Sequence, residues 1–433
     1  MTSGRKIKNF TDLAATPLRK AALEIAEAGL WAIDTESVIQ NMVSCEDDTI
    51  AIAGEKFERN ELGRIIVAGV GKCALAAAHA IEDILGERVD TGVIIDVRTG
   101  IALKKIQALK GTHPAPSREN VENAETLVKL LNRLTENDLV IFIVSGGGST
   151  LLCLPEDEGC EEEERILHDL TSRGAAIREI NTVRKHMSLA RGGHLAKYAY
   201  PARVISLIFS DVPGDETEFV ASGPTIQDST TIEDAAHILT KYDILETCRI
   251  PNCGLIETPK EEKYFTRVKN ILAVSNRVAL RAMQKKAEAL GYAAHIRDTK
   301  LAGEARIVAK RILDEIHGEK QNTALFWGGE TTVTLAKDHG RGGRNLEMAL
   351  AGLPLVKDNE LLLPLASDGR DNGEYAGAIC DSSTRASAER EALDTKPFLA
   401  KNNEYPFFEK VGNYLLTGDT GSNVSDLIMA LKE

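Results

Sequence analysis

The sequence predicts an α/β protein of two domains, on three observations. Leu139–Val144 is an apolar run rich in β-branched residues, as a strand buried on both faces of a parallel sheet reads, and it runs straight into Ser145-Gly146-Gly147-Gly148-Ser149-Thr150. Ile65–Val70, a glycine turn at Gly71-Lys72, an alanine-rich stretch over Cys73–Leu85 and Gly92–Val97 spell strand, turn, helix, strand, a βαβ unit. A second α/β series starts after a shift in composition at residues 250–264, IPNCGLIETPKEEKY. The expected division is an N-terminal Rossmann-like domain over residues 1–255 and a C-terminal α/β domain over 256–433, each on a parallel sheet.

The chain has 433 residues, 43% hydrophobic and 27% charged, enough for two such cores. A net charge of −13 argues against nucleic acid or anionic membranes as partners. An anionic substrate then needs a local cationic pocket, so single Lys and Arg residues beside glycine loops gain interest. No apolar run of about 18 residues exists, so no membrane span is expected. MTSGRKIKNF lacks the apolar stretch of a signal peptide. Seven cysteines without a CxxC or a Cys/His cluster read as reduced thiols of a cytoplasmic protein with no zinc site.

In order, Leu18–Ile33 carries helical spacing, and the βαβ unit follows. Gly69-Val70-Gly71-Lys72-Cys73-Ala74 fits the G-x-G-x-x-G/A dinucleotide fingerprint, and Asp96 at the next strand end is placed for a ribose hydroxyl. Lys72 equally suits a phosphate. A cation on the first turn of a helix opposes the helix dipole and so wants a reason. Thr112–Ser117 is a proline-bound loop carrying His113, ahead of a helix from Arg118 to Leu134. In the glycine loop, Ser145, Gly146, Gly147, Gly148 and Ser149 leave backbone N–H groups free to converge on an anion. Pro155–Glu164 reads as a solvated acidic helix start.

Arg173–Tyr198 reads as two helical pieces broken at Gly192-Gly193, locally basic through Arg184, Lys185, His186 and Arg191. Strand Arg203–Ser210 ends in Asp211-Val212-Pro213-Gly214-Asp215. Asp211 and Asp215 are candidates for Mg²⁺ or for accepting a proton. Ala221–Thr225 is another small-residue loop.

In the second series, strands are expected at Asn270–Val274, Ala293–Arg297, Thr323–Trp327, Val333–Ala336, Leu361–Ala366 and Tyr414–Thr417. Helices are expected at Val278–Leu290, Gly303–Ile316, from Asn345, and after Asn423, the last being free to pack back on the first domain. The strand ends carry Asn276, Gly329-Glu330, Asp368 and Thr420, and Asn345 opens a helix. Small polar and acidic residues at every strand end mark one binding face per domain.

Ten stretches then line up: VAGVGKCA, THPAPS, VSGGGSTLL, INTVRKHMSLARGGHLA, SLIFSDVPGDE, ASGPT, GGETTVTL, GRGGRNLEMAL, ASDGRDN and TGDTGSNVSDL. Together they resemble the class II glycerate kinases, ATP-dependent glycerate 2-kinases with a C-terminal MOFRL domain. The resemblance spans about residues 65 to 427. It implies two α/β domains with an interdomain active-site cleft, and phosphoryl transfer from ATP to the 2-hydroxyl of D-glycerate. It places the family's catalytic lysine on Lys72 and its arginine on Arg344, and Mg²⁺ is expected with ATP. ASDGRDN and Asp419 depart from the family's usual loops, so a related sugar acid is an alternative acceptor. An NAD(P)-dependent hydroxypyruvate reductase is the rival from another class, resting on Gly69–Ala74 and Asp96.

Overall fold

Ile65–Val70 and Leu139–Ser145 are buried at every position and pair in parallel, with Val70 opposite Val144. They form the centre of a six-stranded sheet in the order Ile106–Lys110, Thr91–Asp96, Ile65–Val70, Leu139–Ser145, Arg203–Phe209, Val268–Val274. This computed structural model describes residues 4–156, 160–212, 214 and 216–433. Helices Ala74–Leu85 and Arg118–Leu131 follow their strands as the βαβ pattern requires. A three-stranded antiparallel meander over Val43–Glu58 precedes the sheet, and the sequence reading did not anticipate it.

The second sheet is mixed rather than parallel. Its order is Ala293–Leu301, Thr323–Gly329, Asp426–Lys432, Glu360–Ala366, Gly377–Ala378, Tyr414–Leu415, with Cys380–Asp381 also on Glu360–Ala366. Asp426–Lys432 runs antiparallel to both neighbours. The expected last helix is therefore this central strand. The apolar run DLIMALK is buried on both faces, and such a run carries no period to distinguish strand from helix. Val333–Ala336 is not a strand either; only an isolated bridge, Glu304 to Thr332, lies nearby.

Packing divides the chain into two units that differ from the expected 255/256 division at both ends. Residues up to Ser37 belong with Val274–Glu433, and the unit of the first sheet holds Val38–Val212 and Glu216–Ala273, including most of the strand assigned above to the second series. Helix Pro17–Ala32 lies along helix Asn276–Ala289, so closely that a Cβ at Gly29 would sit 2.7 Å from Met283 Cγ. Arg19 on that helix is 4% exposed and grips both Asp381 oxygens at 2.6 Å, with Asn413 at 2.8 Å. Breaking such a buried pair costs about 3–5 kcal/mol, enough to fix the helix to its unit.

Cysteine usage also differs from expectation: Cys153–Cys160 and Cys248–Cys253 are disulfides, leaving Cys45, Cys73 and Cys380 free. The acidic run is only partly solvated. Helix Cys160–Ser172 buries Glu163 against Arg191 at 2.6 Å and Glu162 against Arg165 at 2.6 Å. Among the described residues no helix is long and apolar enough to cross a membrane.

Candidate active site

Because the two central strands of the first sheet run parallel and in register, their carboxyl ends bring Gly71-Lys72 against Ser145–Ser149. Lys72 N donates to Gly146 O at 3.0 Å, and Cys73 N to Ser145 Oγ at 3.3 Å. Gly71 has φ +117°, and a Cβ there would lie 2.5 Å from the Ser145 carbonyl oxygen, so the turn requires glycine. A Cβ at Gly147 would meet Lys72 Cε at 3.0 Å and His113 Cδ2 at 3.3 Å. A Cβ at Gly146 would run into the Asp211 carboxylate. Lys72, His113, Asp211 and the bare glycine backbone thus share one place. Lys72 is exposed and has no ion pair among the described residues. Partial burial, then the charges of Lys72 and Arg184, hold the His113 pKa below the ordinary histidine value.

Two more motifs join here that the sequence reading left without a role. Ser149 Oγ lies 2.9 Å from Ser222 Oγ, which donates to Asn181 Oδ1 at 3.0 Å. Gly148 packs on Ala221, where a Cβ would meet the alanine methyl at 2.6 Å. Ala221 and Ser222 both hold left-handed backbone, φ +51° and +58°, an uncommon strain for such residues that marks a constrained loop. The three-residue spacing of Asn181 and Arg184 in INTVRK is the signal that puts them on one helix face. Asp215 lies outside the described residues.

Asp96 does not reach for a ribose. It is 1% exposed, and its two oxygens accept Leu75 N and Arg98 N, each at 2.9 Å. It caps the helix that begins at Ala74, and burial pushes its pKa up. The dinucleotide fingerprint thus loses the acidic residue it needs.

The second unit gathers the remaining candidates. Register places Asp426 opposite both Gly329 and Ala366, so the loops after Thr323–Gly329 and Glu360–Ala366 meet at one sheet edge. Gly329 is forced by close packing, since a Cβ there would run into the backbone at Leu301. Arg344, first residue of helix Arg344–Gly352, donates from Nε to Asp426 Oδ2 at 2.5 Å and from Nη2 to Oδ1 at 3.1 Å, and its Nη1 pairs with Glu330. Burial opposes the charge on Arg344, but Asp426 and Glu330 outweigh it and keep the guanidinium protonated. The forked face of Arg344 is therefore held by protein.

Asn345 is fully buried, its Nδ2 donating to Asp426 Oδ1 at 2.9 Å, and Asp371 accepts Asn345 N and Leu346 N at 3.1 and 2.7 Å. Burial, with Asp426 nearby, pushes Asp371 up to about 7. Thr420 and Asp368 staple two loops: Thr420 Oγ1 donates to Ser367 O at 2.6 Å and Thr420 N to Asp368 O at 3.2 Å. Asn276 is 2% exposed; its Nδ2 donates to Thr299 O, and its Oδ1 has no protein partner among the described residues. The site candidates thus form two clusters, one at the strand ends of each unit.

Glu404 supports the loop ahead of Arg344, its carboxylate filling the space beside Gly342. It is 1% exposed, and burial, then the charge of Glu347, pushes its pKa up to about 8. The folded pKa exceeds the unfolded value of about 4.3, so the folded state binds this proton more tightly. The resulting stability is fully present below the unfolded pKa and is lost as pH rises through about 8. Thermal melts should show Glu404→Gln losing less stability than wild type between pH 5 and pH 9. Equal slopes would mean that Glu404 ionises freely.

Comparison with known proteins follows this geometry. The family profile of a domain of unknown function (DUF4147) matches residues 21–251, and that of the MOFRL family matches residues 323–426. The chain is 36% identical to the glycerate 2-kinase of Pyrococcus horikoshii, over 97% of this chain and 98% of that protein. It is 34% identical to the D-glycerate 2-kinase of Thermotoga maritima, over 96% and 98%. The crystal structure of the glycerate kinase from Thermotoga maritima superposes with a TM-score of 0.86 at 32% identity, covering 96% of this chain and 99% of that one. A protein of Agrobacterium vitis named putative hydroxypyruvate reductase is 35% identical over 89% of this chain and 91% of its own length.

Proposed function

The chain belongs to the glycerate 2-kinase family, and from that premise we infer that it transfers the γ-phosphoryl group of ATP to the 2-hydroxyl of D-glycerate, giving 2-phosphoglycerate and ADP. The observation that carries the reading is the clasp of Lys72 onto a bare glycine loop at the ends of two parallel strands. Phosphoryl transfer asks a protein for position and positive charge rather than covalent help. Lys72 supplies a point charge, and the Ser145–Ser149 backbone leaves room for phosphate oxygens to approach. The bond from the glycerate oxygen to phosphorus forms as the bond to ADP breaks, and the hydroxyl proton leaves to a carboxylate. Asp211, seated on Gly146, is the residue we assign to that end of the reaction. Arg344 is the second cation, in the cluster with Asp426 and Glu330.

Mg²⁺ enters with the nucleotide in this reading. Among the described residues no group of three His, Cys, Asp or Glu is disposed to cage a metal ion. Mg²⁺ is commonly held by one or two carboxylates and the phosphates themselves, and one oxygen of Asp211 would provide such a ligand, leaving the other for the hydroxyl proton. When bound, the ion neutralises phosphate charge.

The capped, buried Asp96 disfavours the reductase alternative. Coupled ADP release should therefore appear with ATP and D-glycerate, with phosphorus NMR placing the phosphate on carbon 2. Protein-dependent NADH oxidation with hydroxypyruvate, without ADP release, would reverse the assignment.

A further inference from the structure

Helix Ile177–Lys185 and the loop after it carry several buried cations, and their partners differ in an informative way. Lys185 is paired with Asp228 at 2.5 Å, both almost wholly buried. Arg191, fully buried, is paired with Glu163 at 2.6 Å. Arg184 immediately precedes Lys185 and, among the described residues, its guanidinium has neither a carboxylate nor a hydrogen-bond acceptor. Only its backbone oxygen is used, accepting Arg191 Nη1 at 3.1 Å. Burial and the nearby Arg191 charge disfavour the charge on Arg184, and Glu163 only partly offsets them. Arg184 is half-buried, and a guanidinium so placed without a carboxylate is ready to receive an anion that arrives.

Its surroundings say where that anion would sit. Asn181 lies one turn earlier on the same helix face, is 4% exposed, and turns its Oδ1 to Ser222, which joins it to Ser149 of the glycine loop. The Nδ2 of Asn181 is buried without a partner. Lys72 and His113 both lie against Gly147, and the charge of Arg184 is felt at His113 together with that of Lys72. The two cations are not equivalent. Lys72 is exposed, whereas Arg184 is half-buried. A nucleotide polyphosphate needs the open approach that Lys72 offers. The smaller acceptor fits the deeper end, and a guanidinium fork matches a carboxylate through two parallel N–H bonds.

We propose that Arg184, with the Asn181 amide beside it, binds the carboxylate of the hydroxy-acid acceptor and so selects acids over uncharged polyols. The proposal rests on the kinase reading and deepens it. Neither residue exchanges a proton or bond with the reacting atoms. They set which acceptor is held and where its 2-hydroxyl lies.

The test uses the full chain with D-glycerate and with glycerol, which replaces the carboxylate by a hydroxymethyl group. Arg184→Met should raise KM for D-glycerate about 10²-fold, leave KM for ATP within about twofold, and shrink the glycerate-over-glycerol preference in kcat/KM by about 10²-fold or more. Arg184→Lys keeps the charge without the fork and should fall between. If Arg184→Met does not fold, Arg184→Lys and Asn181→Ala carry the same comparison. Calorimetric titration of D-glycerate without ATP should weaken in step. A rise in KM for ATP with D-glycerate binding unchanged would assign Arg184 to phosphate and overturn the proposal, as would unchanged constants in a folded variant. Wild type inactive with every acid would instead overturn the kinase reading, while D-glycerate titration would still judge Arg184.

Discussion

Lys72→Ala is expected to lower kcat about 10²-fold or more while the protein keeps its melting temperature. The rate estimate follows from removing one fixed charge from oxygens that gain charge in the transition state. The stability estimate follows from position. Lys72 is exposed, makes no ion pair among the described residues, and touches the loop mainly through its stem over Gly147. Substitutions of that kind usually fall within about 0.5 kcal/mol. Its backbone N–H to Gly146 O survives the change, so the clasp between turn and loop remains. Lys72→Met refines the test, because it keeps the stem and removes only the ammonium. Both variants should lose rate at saturating ATP and D-glycerate. A loss confined to KM would mean that Lys72 binds ground state and transition state alike. Near wild-type kcat in a folded Lys72→Met would remove Lys72 from the chemistry.

Much of this architecture is legible in the chain, for physical reasons that also explain what is not. Ile65–Val70 and Leu139–Ser145 declare themselves because a strand covered on both faces must be apolar throughout, and the glycines after them break any continuation. The same logic misreads Asp426–Lys432, since an apolar run after Ser-Asp equally suggests a capped helix. Helix Pro17–Ala32 is legible as a helix. Its attachment to Asn276–Ala289 is not, because the contact of Gly29 with Met283 leaves no local trace. The meander over Val43–Glu58 has short strands of mixed burial, below what alternation can reveal. In the site, Lys72 and the glycine loop stand out by composition. Asn181 and Ser222 matter through hydrogen bonds that only the fold creates. Arg344 stands out in GGRN, but nothing local says that Asp426 holds it.

That last pairing decides what Arg344 substitutions should do. Arg344→Met is expected to lose activity and stability together. Asp426 is 1% exposed and receives Nε and Nη2 of Arg344, with Asn345 Nδ2 as the other donor. Removing the guanidinium strands a carboxylate in the middle strand of the sheet. Breaking a buried pair costs about 3–5 kcal/mol, and the lower end applies because Arg344 itself reaches solvent. The sign of the pH dependence follows. Burial already raises the Asp426 pKa against the pull of Arg344, and without Arg344 it should rise further. The folded state then binds that proton more tightly than the unfolded one, so the variant's deficit should grow as pH rises from 5 to 8. Arg344→Met combined with Asp426→Asn removes both charges, keeps an acceptor for Asn345, and should recover most of the stability. It should not recover turnover, since a cation is still missing, and kcat should stay about 10²-fold or more below wild type. Urea unfolding at both pH values and steady-state kinetics on the three proteins separate the two roles. If the double variant regains activity along with stability, Arg344 is a structural clamp for Asp426 and takes no part in the transfer.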